Sequence, residues 1–193
     1  GLEQFGENFA LTTSFGIQSA VLLHMLSTIP GGDAVPVIWI DTGYLPPETY
    51  TYADQLTQQL RIRLVVSQSE MSPARMEALH GRLWESGRVD DLETYHRIRK
   101  VEPLERALDD LETRCWASGV RRGQTDHRRS MPALDPSRER WSLRPLLEWT
   151  QLAAREERPV GVLFWEVADT MTNLISRTVL PPPTAKHHGR WSF

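Results

Sequence analysis

One cysteine, Cys115, stands in 193 residues. That scarcity excludes an internal disulfide and any cysteine-ligated metal or iron–sulfur cluster, and it suits a reducing cytosol. No segment approaches the roughly 18 to 20 uninterrupted apolar residues of a membrane span, and the first residues lack a basic-then-apolar signal pattern. The sequence therefore reads as soluble and cytoplasmic, with no membrane partner. Nor is there an excess of positive charge: 22 Lys and Arg stand against 25 Asp and Glu, a formal charge of -3. A broad nucleic-acid surface is excluded, because neutralising phosphates leaves a basic balance, so any polyanion site must be local. No internal repeat is present, and His80, His127, His187 and His188 form no metal-ligand spacing with carboxylates. What remains is an ordinary globular composition, 40% apolar and 24% charged, in a chain long enough for one sizeable core.

Ala10-Leu11-Thr12-Thr13 is short and β-prone. After Ser14-Phe15-Gly16, the residues Ile17, Ala20, Val21, Leu23, His24 and Leu26 recur at helical spacing, which predicts strand, turn and helix. Pro30-Gly31-Gly32-Asp33 breaks the chain, and Val35 to Ile40 is a nearly continuous apolar run of the kind found in a strand buried on both faces. Pro46-Pro47-Glu48-Thr49 opens a helix through about Leu60, and Arg63-Leu64-Val65-Val66 is a third strand. This alternation predicts an α/β fold, a doubly wound, mostly parallel sheet with helices on both faces. The stretch from Ser72 to Leu111 reads as mostly helical, interrupted at Gly81 and Gly87. Cys115 to Gly119 fits a short strand, and Trp141 to Leu147 a last strand or extended segment. The expected organisation is a nucleotide-binding α/β domain over 1–149 and a C-terminal extension over 150–193, flexible or ordered by a partner.

Ligands of open α/β sheets bind beyond the carboxyl ends of the strands, so residues just after each strand take the first functional reading. Ser14-Phe15-Gly16-Ile17-Gln18-Ser19 offers a glycine for close backbone approach, hydroxyl donors and a helix N-terminus that attracts an anion. An ordinary strand-helix turn with a serine cap explains it equally. Asp41-Thr42-Gly43-Tyr44 places an acid after an all-apolar strand, to accept from a ribose or an adenine amino group or, alternatively, to cap a tight turn. Arg121, Arg122 and Arg128, with Gln124 among them, form the densest cationic stretch. Guanidinium forks suit phosphate and sulfate oxygens, though such a run is also what a solvated loop looks like.

Taken together these phrases resemble the phosphoadenosine phosphosulfate reductase family. The resemblance rests on Ser14-Phe15-Gly16-Ile17-Gln18 as an altered pyrophosphate loop and on Asp41-Thr42-Gly43-Tyr44-Leu45-Pro46-Pro47-Glu48-Thr49. It continues through Lys100-Val101-Glu102-Pro103-Leu104-Glu105-Arg106-Ala107-Leu108 and Trp116-Ala117-Ser118-Gly119-Val120-Arg121-Arg122-Gly123-Gln124-Thr125. It implies an adenine-nucleotide α-hydrolase-like fold and thiol-dependent reduction of 3′-phosphoadenylyl sulfate to sulfite and adenosine 3′,5′-bisphosphate. Thioredoxin or glutaredoxin would donate the electrons, no flavin or metal is required, and homodimers are common. Ser14, Phe15, Gly16, Gln18, Asp41, Thr42, Gly43, Lys100, Arg121, Arg122, Gln124 and Arg128 are the implied substrate-binding residues. A related branch acts on adenylyl sulfate with an iron–sulfur cluster. Tyr95-His96 holds the place of that branch's cysteine pair, so the resemblance implies no cluster here and the 3′-phosphorylated substrate.

The resembling enzymes use a cysteine in a Glu-Cys-Gly-Leu-His-like tail as nucleophile. No such tail occurs in these residues, although Asp169-Thr170-Met171-Thr172 and Gly189-Arg190-Trp191 are similar to phrases that precede it. Cys115, beside Trp116 in a strand expected to be buried, reads as a small inert hydrophobe. The chain is thus expected to bind nucleotide without completing turnover, and a catalytically silent nucleotide-binding protein is the alternative. An ATP pyrophosphatase-type enzyme on the same fold is a third reading, against which stand Phe15 and Gln18 where Ser-Gly-Gly-x-Asp-Ser has glycine and aspartate.

Overall fold

The first strand, β1 (Phe9–Thr13), shows how the sheet is made: its period of two turns Leu11 toward one helical layer and Ala10 toward the other. The computed structural model describes residues 1–137 and 139–149. A short helix, α1 (Leu2–Phe5), precedes β1, and α2 (Ile17–Thr28), β2 (Pro36–Asp41), α3 (Pro47–Leu60) and β3 (Arg63–Gln68) follow. Next come α4 (Pro73–His80), α5 (Val89–His96), a π-helical turn (Arg97–Val101) and α6 (Glu102–Asp110). β4 (Cys115–Ala117) and a hairpin of β5 (Leu134–Ser137) and β6 (Arg140–Leu143) complete the described elements. Segment 150–193, with its phrases at Asp169 and Gly189, lies outside them.

Local chemistry accounts for the ends of these elements. Pro47 and Pro73 open α3 and α4, where the fixed φ is already helical and the missing N–H is no loss. Ser72 caps α4 by accepting from the Arg75 N–H at 3.2 Å. α2 carries Ala20, Val21, Leu22, Leu23 and Leu26 on several sides, all buried, because it is enclosed between sheet and neighbouring segments rather than half in water. Gly32 closes the return to β2, and a Cβ there would fall 1.9 Å from the Leu26 carbonyl oxygen, a contact no side chain tolerates.

The six strands run in the order β3-β2-β1-β4-β6-β5, parallel except for the β5–β6 pair. Leu11, Val37 and Trp39 meet α2 and α3 on one face, through residues such as Ala20, Ala53 and Leu56. Ala10 and Ile38 meet Ala107 and Leu108 of α6 on the other. The expected doubly wound, mostly parallel sheet is what forms. Three details differ from the expectation. β4 stops at Ala117 instead of Gly119, Trp141–Leu147 resolves into β6 and a turn, and β5 was not foreseen. Pro136 hides β5 from sequence reasoning, and it is tolerated because β5 is the edge strand, whose outer side needs no ladder donor.

Candidate functional site

Strand order reverses between β1 and β4. From β1 the chain steps outward to β2 and β3, then returns to place β4 on β1's other side. The loops leaving these two carboxyl ends part to opposite sides and leave a crevice, the position where sheets of this type take ligands. Thr12 Oγ1 donates to the Ala117 carbonyl at 3.2 Å and ties the two strands at the crevice floor. Around it the backbone is accessible. A Cβ on Gly119 would meet no atom within 4 Å, and one on Gly16 would meet only Ser14 Oγ, at 3.5 Å.

The β1–α2 turn is built differently from its sequence reading. Phe15, not Gly16, takes the left-handed conformation, with φ 51°. Gly16 sits at φ −71° and ψ 161°, which any residue adopts. Thr13 Oγ1 accepts the Phe15 N–H at 3.1 Å and fixes the bend. The Phe15 ring is buried, edge-on to Trp39 with centroids 4.9 Å apart and to Tyr52 at 6.4 Å, an arrangement that adds about 0.5–1.5 kcal/mol per pair beyond area burial. The Phe15 ring anchors the turn to the core, so any part Phe15 takes in the expected substrate binding falls to its main chain. The Ser14 hydroxyl is exposed, 3.3 Å from that of Ser19, at the N-terminus of a twelve-residue helix whose first N–H groups attract an anion. Gln18 stands in the first turn of α2, its side chain outside the described part of the structure.

Asp41 is 6% exposed and its carboxylate is occupied by protein donors. Oδ1 accepts the Gly43 N–H at 2.8 Å and the Tyr50 hydroxyl at 2.7 Å, and Oδ2 accepts the Gln68 amide at 2.6 Å. Burial and the adjacent carboxylate push the Tyr50 phenol up to about 12, so it stays a donor. Of the two readings of Asp41, the turn-fixing one is seen directly in these three bonds, and the ribose or adenine contact stays an expectation. Gly43 is obligatory here: φ is 74°, and a Cβ would meet Pro73 Cγ at 2.7 Å. Thr42 is buried, and its Oγ1 lies 3.4 Å from the Tyr44 N–H.

The cationic loop after β4 is also braced from within. Arg122 donates through Nε to Glu148 at 2.7 Å and through Nη1 to the carbonyls of Arg129 at 2.8 Å and Met131 at 2.6 Å. Arg128, buried, donates to Gln124 Oε1, which also accepts the Arg121 N–H at 3.1 Å. Arg122, Gln124 and Arg128 therefore support the loop from within, and their expected part in substrate binding is a role beside that support. Arg121 is different. Its Nε is enclosed yet has no acceptor, and burial pulls its guanidinium below the ordinary value.

Lys100 comes from the π-helical turn, which packs against β2, and burial lowers its ammonium from the ordinary lysine value. Tyr95 is a packing residue, its ring 5.5 Å from Trp84 and 6.2 Å from Tyr44. His96 beside it is held below the usual histidine value by burial and by Lys100. Sequence reasoning missed Arg99, 2% exposed in the same turn, as well as Tyr50 and Gln68, the donors to Asp41. No local signal marks Tyr50 or Gln68 as partners, since fold topology brings them together. Cys115 is fully buried in β4, with burial pushing its thiol up. Among the described residues, no group of three His, Cys, Asp or Glu could hold a metal ion, and no helix is long and apolar enough to cross a membrane.

Residues 8–155 match the family described as phosphoadenosine phosphosulfate reductase domain. The phosphoadenosine 5′-phosphosulfate reductase of Synechococcus sp. is 56% identical over 146 residues, covering 76% of this chain and 62% of that protein. That of Synechocystis sp. is 50% identical over 147 residues, covering 76% and 58%. The chain thus spans about three-fifths of the length of these curated relatives. A crystal structure of phosphoadenylyl-sulfate reductase from Candida auris, a phosphate complex, superposes with a TM-score of 0.65 at 27% identity, covering 86% of this chain and 77% of that one. The FMN adenylyltransferase of Candida glabrata shares the fold alone, with a TM-score of 0.50 at 12% identity over 86% of this chain and 49% of that one.

Proposed function

The chain belongs to the phosphoadenosine phosphosulfate reductase domain family, and from that premise we propose that it binds 3′-phosphoadenylyl sulfate for thiol-dependent reduction to sulfite and adenosine 3′,5′-bisphosphate in sulfate assimilation. The observation that carries this reading is the pairing, across the β1–β4 crevice, of an anion-attracting helix N-terminus after Ser14-Phe15-Gly16 with Arg121, a half-buried cation in the loop after β4. A sulfate or phosphate oxygen accepts from that guanidinium and meets the field of the helix. The Candida auris relative, crystallised as a phosphate complex, supports an anion at such a fold.

In the proposed reaction a thiolate attacks the sulfur, the bond from sulfur to the phosphate oxygen breaks, and the bisphosphate departs with that electron pair. A second thiol, from a thioredoxin- or glutaredoxin-type partner, then attacks the S-sulfonate sulfur atom bonded to the enzyme, giving a disulfide and sulfite. Cys115 is not assigned the first attack, because it is fully buried and its thiol resists ionisation. We assign these 193 residues nucleotide binding without turnover on their own, and no metal or flavin enters the scheme.

Titration calorimetry of the chain with adenosine 3′,5′-bisphosphate and with adenosine 5′-monophosphate tests this. Tighter binding of the bisphosphate is expected. Equal affinities overturn the 3′-phosphate assignment, and no binding of either overturns the reading.

A further inference from the structure

The Arg99 guanidinium is a cation buried in the turn that carries Lys100. It is 2% exposed, yet only Nη1 has an acceptor, the Met71 carbonyl at 2.7 Å, while Nε and Nη2 are buried without one. Its carbon lies 5.2 Å from the centroid of the Tyr44 ring, within cation–π range. Among the described residues, no carboxylate pairs with it. A buried cation with two unsatisfied donors works against folding, and an apolar side chain of its size is expected to be neutral or better.

What the residue does is visible in its two partners. Tyr44 belongs to the loop leaving β2 and Met71 to the loop leaving β3, both at the ligand edge of the sheet. Arg106 of α6 grips the second loop from the same helical layer, donating to the Gln68 carbonyl and to Glu70 at 3.2 Å. Gln68 in turn holds Asp41. Arg99 sits in a π-helical turn, a local widening of the helix that changes where successive side chains point and that recurs at functional sites. The next residue in that turn is Lys100, one of the residues carried by the family resemblance.

We infer that Arg99 is a positioning residue that clamps the loops after β2 and β3 in register with Lys100, stabilising the nucleotide-binding arrangement at a cost to fold stability. This rests on the proposed function, since the nucleotide is what the clamped edge receives. Arg99 acts through Tyr44 and Met71, not by touching the ligand, because its unsatisfied nitrogens are closed to solvent.

The test is Arg99→Met and Arg99→Lys in the 193-residue chain, read by thermal unfolding, by calorimetry with adenosine 3′,5′-bisphosphate, and by peptide-level hydrogen exchange over 41–44 and 69–71. Arg99→Met is expected to unfold at the same temperature or higher, to bind the bisphosphate about tenfold more weakly, and to exchange faster in those two loops only. Arg99→Lys, which keeps a cation over Tyr44 and a donor for Met71, is expected to restore affinity to within about threefold. A lower unfolding temperature with unchanged affinity makes Arg99 a structural residue and overturns the inference, as does unchanged loop exchange. Should Arg99→Met fail to fold, Tyr44→Leu removes the other half of the clamp, and the same loop-limited exchange and weaker binding are required of it. If the unmodified chain binds no bisphosphate, the functional reading fails, while loop exchange still decides the clamp.

Discussion

Replacing Asp41 separates a ligand contact from a turn support, because the two roles predict opposite patterns. The carboxylate receives three protein hydrogen bonds, from the Gly43 N–H, the Tyr50 hydroxyl and the Gln68 amide. Bonds to a charged acceptor contribute roughly 1.5–3 kcal/mol each, but the three donors differ in what happens when the acceptor goes. Gln68 is exposed and turns to water, and the Gly43 N–H lies in an exposed turn, so each loses little more than the bond itself. The Tyr50 hydroxyl, raised to about 12 by burial and by this carboxylate, is left with the poorest alternative. Asp41→Ala is therefore expected to cost about 2–4 kcal/mol, and Asp41→Asn, which keeps the shape and one acceptor oxygen, about 1–2 kcal/mol. Urea unfolding followed by far-UV dichroism measures the loss. Calorimetry on the folded Asp41→Asn protein is expected to find bisphosphate affinity within about threefold of the unmodified chain, because no ligand bond was removed. An Asp41→Asn protein of unchanged stability with a hundredfold weaker affinity would refute this reasoning and return Asp41 to the ligand.

The arginines of the loop after β4 divide in a way that substitution can check. Arg121→Ala should weaken adenosine 3′,5′-bisphosphate more than adenosine, by about tenfold or more, since on the proposed function it removes a cation that binds phosphate or sulfate oxygens. Arg122→Ala should instead lower the unfolding temperature through loss of its bonds to Glu148, Arg129 and Met131, and equal effects of the two ligands at both positions would contradict the division. Cys115→Ser should cost about 1–3 kcal/mol by burying a hydroxyl in place of an apolar thiol, and the native thiol should resist a neutral-pH alkylating reagent until denaturant is added. Rapid alkylation of the folded chain would show that the strand opens and that Cys115 is available to chemistry.

Periodicity made the first half of the sheet legible. Ala10–Thr13, Val35–Ile40 and Arg63–Val66 read as strands because apolar runs of that length, broken by Pro and Gly and alternating with helical spacing, fit a buried parallel sheet and little else. The carboxyl-edge positions of Ser14, Asp41 and Arg121 followed from those strands. The role of each residue did not follow. Asp41 looked like a ligand contact because an acid after an apolar strand is the same string whether it faces a ribose or Gln68, 27 residues away. Phe15 belongs to a recognisable phrase, but only tertiary packing reveals that its ring anchors the phrase to Trp39. Arg99 was hidden for a related reason. In a charged helix an arginine reads as solvated, and its burial is decided by Tyr44 and Met71, which arrive from other parts of the chain.

Net charge also misleads at the scale of the site. A formal charge of -3 argues against a broad polyanion surface, yet the arginines around the loop after β4 are unevenly paired. Arg122 is offset by Glu148, and Arg144, just after β6, by Asp135 at 3.3 Å. Arg128 is held by the neutral Gln124 side chain, and Arg144 and burial together pull its guanidinium below the ordinary value. Its charge is thus fixed in place with no carboxylate among the described residues to cancel it, and the half-buried Arg121 shares its Gln124 partner. A ligand with separated anionic groups meets both cations, accepting from Arg121 and lowering the potential around Arg128, whereas a ligand with a single anionic group at the helix N-terminus meets neither. The proposed substrate, a nucleotide bearing both a phosphosulfate and a second phosphate, carries its charge in that separated form.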